Sequence, residues 1–146
     1  MSRDITLEVD LPYRPKDVWF ALTDPGALAE WLMLVDGFAP VVGTTFTLRA
    51  KPMPGWDGVV HCEVTEADEL TRLAYTWRGS RMRNSTTVIW RLTELGDGGT
   101  RLHLDHQGFT GVAGAVLAFM HSGGWKKMVR ARLVDHLRRA QAEGTA

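Results

Sequence analysis

The stretch TRLHLDHQGF, Thr100 to Phe109, places two histidines and an aspartate within four residues. Imidazole and carboxylate groups this close are the raw material of a metal site or of a general acid–base pair. The element that carries them decides whether they can act together. Leu102, Leu104 and His106 alternate with Arg101, His103 and Asp105, the signature of a half-buried strand. Successive side chains leave a strand on opposite faces. His103 and Asp105 therefore share one face, and His106 joins the leucines on the other. An unbroken strand cannot close this trio on one ion, and no second His, Cys or carboxylate pair has ligand spacing. Neither a metal nor another cofactor is expected. His103 and Asp105 are assigned to the solvated face. His106 faces inward, where an unpartnered imidazole costs about 1–3 kcal/mol. It is either a core or rim histidine bonded to backbone or water, or a polar fixture in a cavity.

The same weighing applies to the other conspicuous side chains. Trp77 and Trp90 point inward from separate strands. Core packing accounts for both, and a free indole N–H on Trp77 would also suit an apolar ligand. Trp56, in the loop KPMPGWDG, either packs on its neighbours or covers a cavity mouth. Arg132 and His136 fall inside or beside the apolar arc of the last helix. They either snorkel at its rim, or Arg132 pairs with a ligand carboxylate or an inward acid. Cys62 lies in an apolar strand pattern and reads as core, not as a nucleophile. GFTGVAG lacks the spacing of a dinucleotide loop. No serine sits in a nucleophile elbow, and no close acid pair suggests glycoside hydrolysis.

The elements that must position these groups are legible in order. Ile5, Leu7, Val9 and Leu11 alternate with polar residues as a strand, which Pro12 and Pro15 end. Pro15 suits the first position of a helix over about Lys16 to Leu22. Asp24-Pro25 then reads as cap and first turn of a second short helix ending near Trp31. A short strand near Thr45 to Arg49 precedes four more, built on Val60–Cys62–Val64, Leu73–Tyr75–Trp77, Val88–Trp90–Leu92 and Leu102–Leu104–His106. Short turns such as Gly96-Asp97-Gly98-Gly99 separate them, giving an antiparallel meander with one apolar face. From about Ala115 to Ala142 the period becomes helical, with Trp125, Met128, Val129, Leu133, Leu137 and Ala140 on one arc. Gly123-Gly124 is expected to kink or interrupt its start. A curved sheet covered by one helix cannot be filled everywhere, so a cavity between them is expected.

The whole chain sets the bounds. Its 146 residues suit a single domain, residues 1–146, that buries about two-thirds of its unfolded surface. Seventeen basic and 17 acidic residues cancel, which gives no footprint for nucleic acid or a membrane surface. The one basic cluster, Lys126, Lys127, Arg130, Arg132, Arg138 and Arg139, reads as the wet side of the last helix. A lone cysteine excludes an intrachain disulfide and suits a reducing cytoplasm. MSRDITLEV has no apolar signal region, and the apolar run around Val112 to Met120 is too short to span a bilayer.

Taken in order, RPKDVWFALTDPGALAEWL, VGTTFTL, WDGVVHCEV, RLAYTWR, TTVIWRLTE, GGTRLHLDHQGF and GGWKKMVRARLVDHL resemble the START-like (SRPBCC, helix-grip) superfamily. Within it they look like the family homologous to the C-terminal domain of the heat-shock chaperone ATPase activator. Each piece is short, but their order and spacing run through nearly the whole chain. The resemblance implies an α+β helix-grip fold: a curved antiparallel sheet of six to seven strands wrapped around a long C-terminal helix, two short helices after the first strand, and an internal cavity. It also implies that His106-Gln107-Gly108-Phe109 is the family's turn into the C-terminal region, a structural or rim feature. The superfamily hosts lipid carriers, cyclases and chaperone activators. The eukaryotic activators carry a further chaperone-binding domain for which these 146 residues have no room.

Three functions follow. The first is binding of a small hydrophobic or amphipathic molecule between sheet and helix, with Phe46, Leu48, Tyr75, Trp77, Trp90, His106, Trp125, Met128 and Arg132 as lining. The second is a protein-interaction role, such as regulation of a chaperone ATPase. The third is a polyketide cyclase or dehydratase type of enzyme, with His106 as acid or base and Arg132 or Tyr75 orienting a carbonyl. A homodimer is expected from the frequency of two-fold assemblies.

Overall fold

The computed structural model describes residues 4–79 and 82–143. Seven strands form one antiparallel sheet: β1 (Ile5–Leu11), β2 (Leu34–Asp36), β3 (Thr45–Arg49), β4 (Val59–Asp68), β5 (Arg72–Gly79), β6 (Thr86–Glu94) and β7 (Thr100–Gln107). Their order across the sheet is β1-β7-β6-β5-β4-β3-β2. Strands β2 to β7 follow one another as a meander. Strand β1 closes the far edge on β7, in a register that sets Ile5 opposite His106 and Leu11 opposite Thr100. Strand β2, three residues with Leu34 exposed, is too short for alternation to mark it in the sequence, and it completes the upper end of the expected six to seven strands. In β4 the register slips between Val64 and Glu66. One extra residue on one strand bends it and steepens the local twist, which helps curl the sheet.

Alternation places the inward residues as expected. Trp90, Leu92, Leu102, Leu104 and His106 are buried on the concave face. On the convex face Arg91, Arg101, His61 and Glu63 are exposed. Asp105 departs from its expected solvated place and is only 7 % exposed. Thr6 donates to its Oδ1 at 3.1 Å, His103 Nε2 lies 3.1 Å from the same oxygen, and the Arg91 guanidinium binds Oδ2. These neighbours cover the carboxylate. Desolvation raises its pKa, but the hydrogen bonds from Arg91, His103 and Thr6 together hold it below the usual carboxylate value.

Two short helices, α1 (Pro15–Thr23) and α2 (Pro25–Trp31), close one end of the sheet. Proline opens each, and Asp24 caps α2 by accepting from the Ala27 N–H at 2.9 Å. The long C-terminal helix comprises α3 (Gly111–Lys127), a π-helical turn (Met128–Leu133) and α4 (Val134–Ala142). It starts four residues before Ala115. Gly114 permits that start, since a Cβ there would lie 2.9 Å from the Phe109 carbonyl carbon. The helix also runs unbroken through Gly123-Gly124, against expectation. Its irregularity falls further on, where the π-helical turn winds in an extra residue. Lys126, Lys127, Arg130, Arg132, Arg138 and Arg139 are all exposed, as a wet helix face requires.

Trp31, Trp90 and Trp125 are essentially buried and pack edge to face, Trp90 lying 5.9 Å from Trp31 and 5.6 Å from Trp125 between ring centres. Each removes roughly 150–250 Å² from water, about 4–6 kcal/mol at ~25 cal/mol per Å². These rings fix the helix to the sheet. No helix among the described residues is long and apolar enough to cross a membrane.

Candidate functional site: an apolar cavity beneath the long helix

The opening histidines part as the strand dictates. His103 stays on the convex face, between Glu8 at 3.4 Å and Asp105 at 3.1 Å. His106 is fully buried on the concave face. An indole N–H can only donate, so Trp125 Nε1, 2.9 Å from His106 Nδ1, makes that nitrogen the acceptor. The proton then sits on Nε2, which donates to Thr86 Oγ1 at 2.6 Å, and the Thr86 hydroxyl donates to the Trp77 carbonyl at 2.9 Å. Burial, with a smaller contribution from His121, pushes the His106 pKa down to about 2. The ring is neutral, doubly bonded and out of reach. Among the described residues no group of three or more His, Cys, Asp and Glu is placed to hold a metal ion.

A second histidine, not singled out by the sequence reading, completes the arrangement. Trp77 Nε1 donates to His121 Nε2 at 3.2 Å, and His121 Nδ1 donates to the Leu117 carbonyl one turn earlier at 2.8 Å. Burial lowers the His121 pKa, partly opposed by its bond to Leu117. Phe109 joins the cluster, with ring centres 4.6 Å from His106 and 5.3 Å from His121. Gly108, at φ +101°, turns the chain so that Phe109 reaches this position. The HxGF segment is thus a structural corner.

Beside the cluster lies an apolar cavity of about 280 Å³ between β4, β5 and the long helix. Trp77, Val60 and Gly79 form its sheet wall, while Leu117, His121, Gly124, Trp125 and Met128 form its helix wall. Met33 and Met82 close two sides, and a turn closes the last. In that turn Met53 and Trp56 exchange backbone hydrogen bonds of 3.0 and 2.9 Å around Pro54-Gly55. Proline followed by a glycine at φ +85° is the residue pair a type II turn requires. The turn sets Trp56 at the cavity's edge, one of its two expected places.

Of the expected lining residues, Trp77, Trp125 and Met128 border the cavity. Phe46, Leu48, Tyr75, Trp90 and His106 are buried in the packed core instead. Phe46 and Tyr75 pack edge to face at 5.2 Å, and the Tyr75 hydroxyl accepts from Trp90 Nε1 at 2.9 Å. Desolvation raises the Tyr75 pKa, so the phenol stays neutral. Arg132 is exposed outside the cavity, where its guanidinium donates to the Glu30 carbonyl at 3.4 Å. The widened π-helical turn carries it to the α2 side. His136 is buried nearby against Glu30 at 3.2 Å. The indole N–H of Trp77 is not free for a ligand either, because it donates to His121 Nε2. The indoles of Trp125, Trp90 and Trp56 are likewise engaged, the last with the Val59 carbonyl at 3.1 Å.

Two wider depressions lie elsewhere. One, of about 550 Å³, opens on the convex face around His61, Glu63 and Arg78. The other, of about 600 Å³, runs between α1, α2 and α4 around Asp17, Glu30 and His136. Both are lined largely by charged and polar side chains. The small cavity alone of the three has the mostly apolar lining usual for organic ligands.

The chain matches the model of the activator of Hsp90 ATPase homolog 1-like protein family over residues 12–138. A crystal structure of protein MLL2253 from Mesorhizobium loti is 28% identical, with a TM-score of 0.81, covering 93% of this chain and 97% of that one. Protein BH1534 from Bacillus halodurans is 26% identical, with a TM-score of 0.75 and coverage of 92% and 96%. The Aha1 dimer from Colwellia psychrerythraea is 18% identical, with a TM-score of 0.78 and coverage of 92% and 95%. No curated protein matches.

Proposed function

The chain belongs to the activator of Hsp90 ATPase homolog 1-like family, and on that premise we propose that it binds a small, uncharged apolar molecule in the cavity beneath the long helix. One observation carries the reading: the cavity wall is apolar, and the polar atoms on it are already bonded to one another. His121 and the indoles of Trp56, Trp77 and Trp125 are engaged. Among the described residues no charged side chain borders the space. A charged ligand would lose its hydration and find no partner. An apolar one loses nothing.

The test is native mass spectrometry of the protein from its own host, beside Gly124→Leu. A Cβ at Gly124 meets only the end of Met128, at 3.9 Å, so the leucine projects toward the cavity. It also favours helix over glycine by about 0.5–1 kcal/mol. The expected result is a small-molecule adduct on the native protein and none on a folded Gly124→Leu. An adduct that survives the substitution, or a clean native mass, overturns the reading.

A protein-contact reading has one observation behind it. Val116, Phe119 and Met120 on α3 are 56, 82 and 63% exposed, and the Colwellia relative is a dimer. If a second copy covers this face, sedimentation will show a dimer that Phe119→Ser dissociates. A monomer at all concentrations removes it. For a cyclase reading His106 is poorly placed, because both its ring nitrogens are bonded and its side chain is fully buried.

A further inference from the structure

Methionine is distributed in this molecule in a way that core filling does not explain. The chain has six methionines. Five of them, Met33, Met53, Met82, Met120 and Met128, border the apolar cavity. They come from separate parts of the chain: the end of α2, the Pro54-Gly55 turn, the β5–β6 connection and two turns of the long helix. The sixth, Met1, lies outside the described residues. Met82 is also part of the buried core, which is otherwise built without methionine, mainly of leucine, valine and tryptophan.

Resting on the ligand-binding reading above, we propose that the cavity takes a neutral aromatic molecule of two fused rings, gripped between thioethers and indole faces. Thioether sulfur is polarisable and makes favourable contacts with aromatic rings at about 5 Å. Trp77 on the sheet wall, Trp125 on the helix wall and Trp56 at the edge offer rings to the same space, and aromatic pairs gain from offset or edge-to-face contact. A saturated chain would gain less from either. Size points the same way. An apolar cavity of about 150 Å³ holds one benzene, and this one is nearly twice that, at about 280 Å³. Met53 and Met120, 58 and 63% exposed at the mouth, can swing across a bound ring because methionine has three rotatable bonds.

The experiment compares 2-naphthol with decahydro-2-naphthol by isothermal titration calorimetry. The two share a skeleton and a hydroxyl and differ in aromaticity. Native protein is set beside the double variant Met33→Leu/Met128→Leu, which conserves volume but removes sulfur. The aromatic alcohol is expected to bind about tenfold more tightly than the saturated one, and to lose about fivefold in the variant while the saturated alcohol stays within about twofold. Equal affinity of the two alcohols for native protein overturns the aromatic assignment and leaves apolar binding intact. Tighter binding of 2-naphthol that the variant does not weaken overturns the thioether grip. If neither alcohol binds up to its solubility, the cavity is not a binding site and both readings fall.

Discussion

His106 is a histidine that folding keeps uncharged. In the unfolded chain it titrates near 6.5, whereas burial takes it to about 2 in the native state. Between those values the unfolded state binds the extra proton, so native stability rises with pH across this window. The slope approaches about 1.4 kcal/mol per pH unit for one group, and His121, also lowered, adds in the same direction. Chemical denaturation between pH 4.5 and 7 is expected to show this loss on acidification. In His106→Leu the slope falls by about one proton. The same variant strands the Trp125 N–H, at about 1–3 kcal/mol, while the Thr86 hydroxyl keeps its bond to the Trp77 carbonyl. An unchanged slope would show that His106 binds its proton equally in the native and unfolded states. Cys62 makes a parallel case, since burial raises its thiol to about 12. Native protein should resist a disulfide reagent at pH 8 and react fully in denaturant. Rapid native labelling would contradict the burial.

At the scale of elements, the loop between β3 and β4 is the most demanding piece. Gly58 has φ +85°, and a Cβ there would lie 2.3 Å from the Ala50 carbonyl oxygen. Gly55 has the same φ but nothing within 4 Å. Gly55→Ala should cost only the left-handed penalty of roughly 1–2 kcal/mol. Gly58→Ala should cost clearly more, because backbone must move as well. Denaturant midpoints of the two variants test this order, and equal midpoints would refute it. These elements also show what a one-dimensional reading can hold. Alternation placed Trp77, Trp90 and His106 on the concave face correctly, because facing is a local property of a strand. Depth is not local. Phe46, Leu48, Tyr75 and Trp90 face the same way as Trp77 yet lie where the sheet and helices close completely. Met33, Met53 and Met82 sit in connections that have no period, so nothing in their surroundings marked them as neighbours. His121 was within reach. Leu117, His121, Trp125 and Met128 follow helical spacing, and the lone imidazole on that stripe was the available signal.

For the molecule as a whole, the long helix is clamped to the sheet by Trp125 and Leu133 but leaves space near Gly124. A ligand in that space binds only the folded state. At one hundred times its dissociation constant it should add about 2.7 kcal/mol to the unfolding free energy. The denaturant midpoint should rise with little change in slope. An unchanged midpoint at saturation would mean the ligand binds the unfolded chain equally well. The other whole-molecule feature is the pairing of β1 with β7, in which Thr6 bonds Asp105 across 99 positions. A ribosome adds about 5–20 residues per second, so the first strand waits roughly 5–20 s for its partner to be synthesised. During that wait Ile5, Leu7 and Leu11 form an apolar edge with nothing to pair against. The nascent chain is therefore most exposed to mispairing early in translation, and slowing elongation before codon 100 should lower the soluble yield.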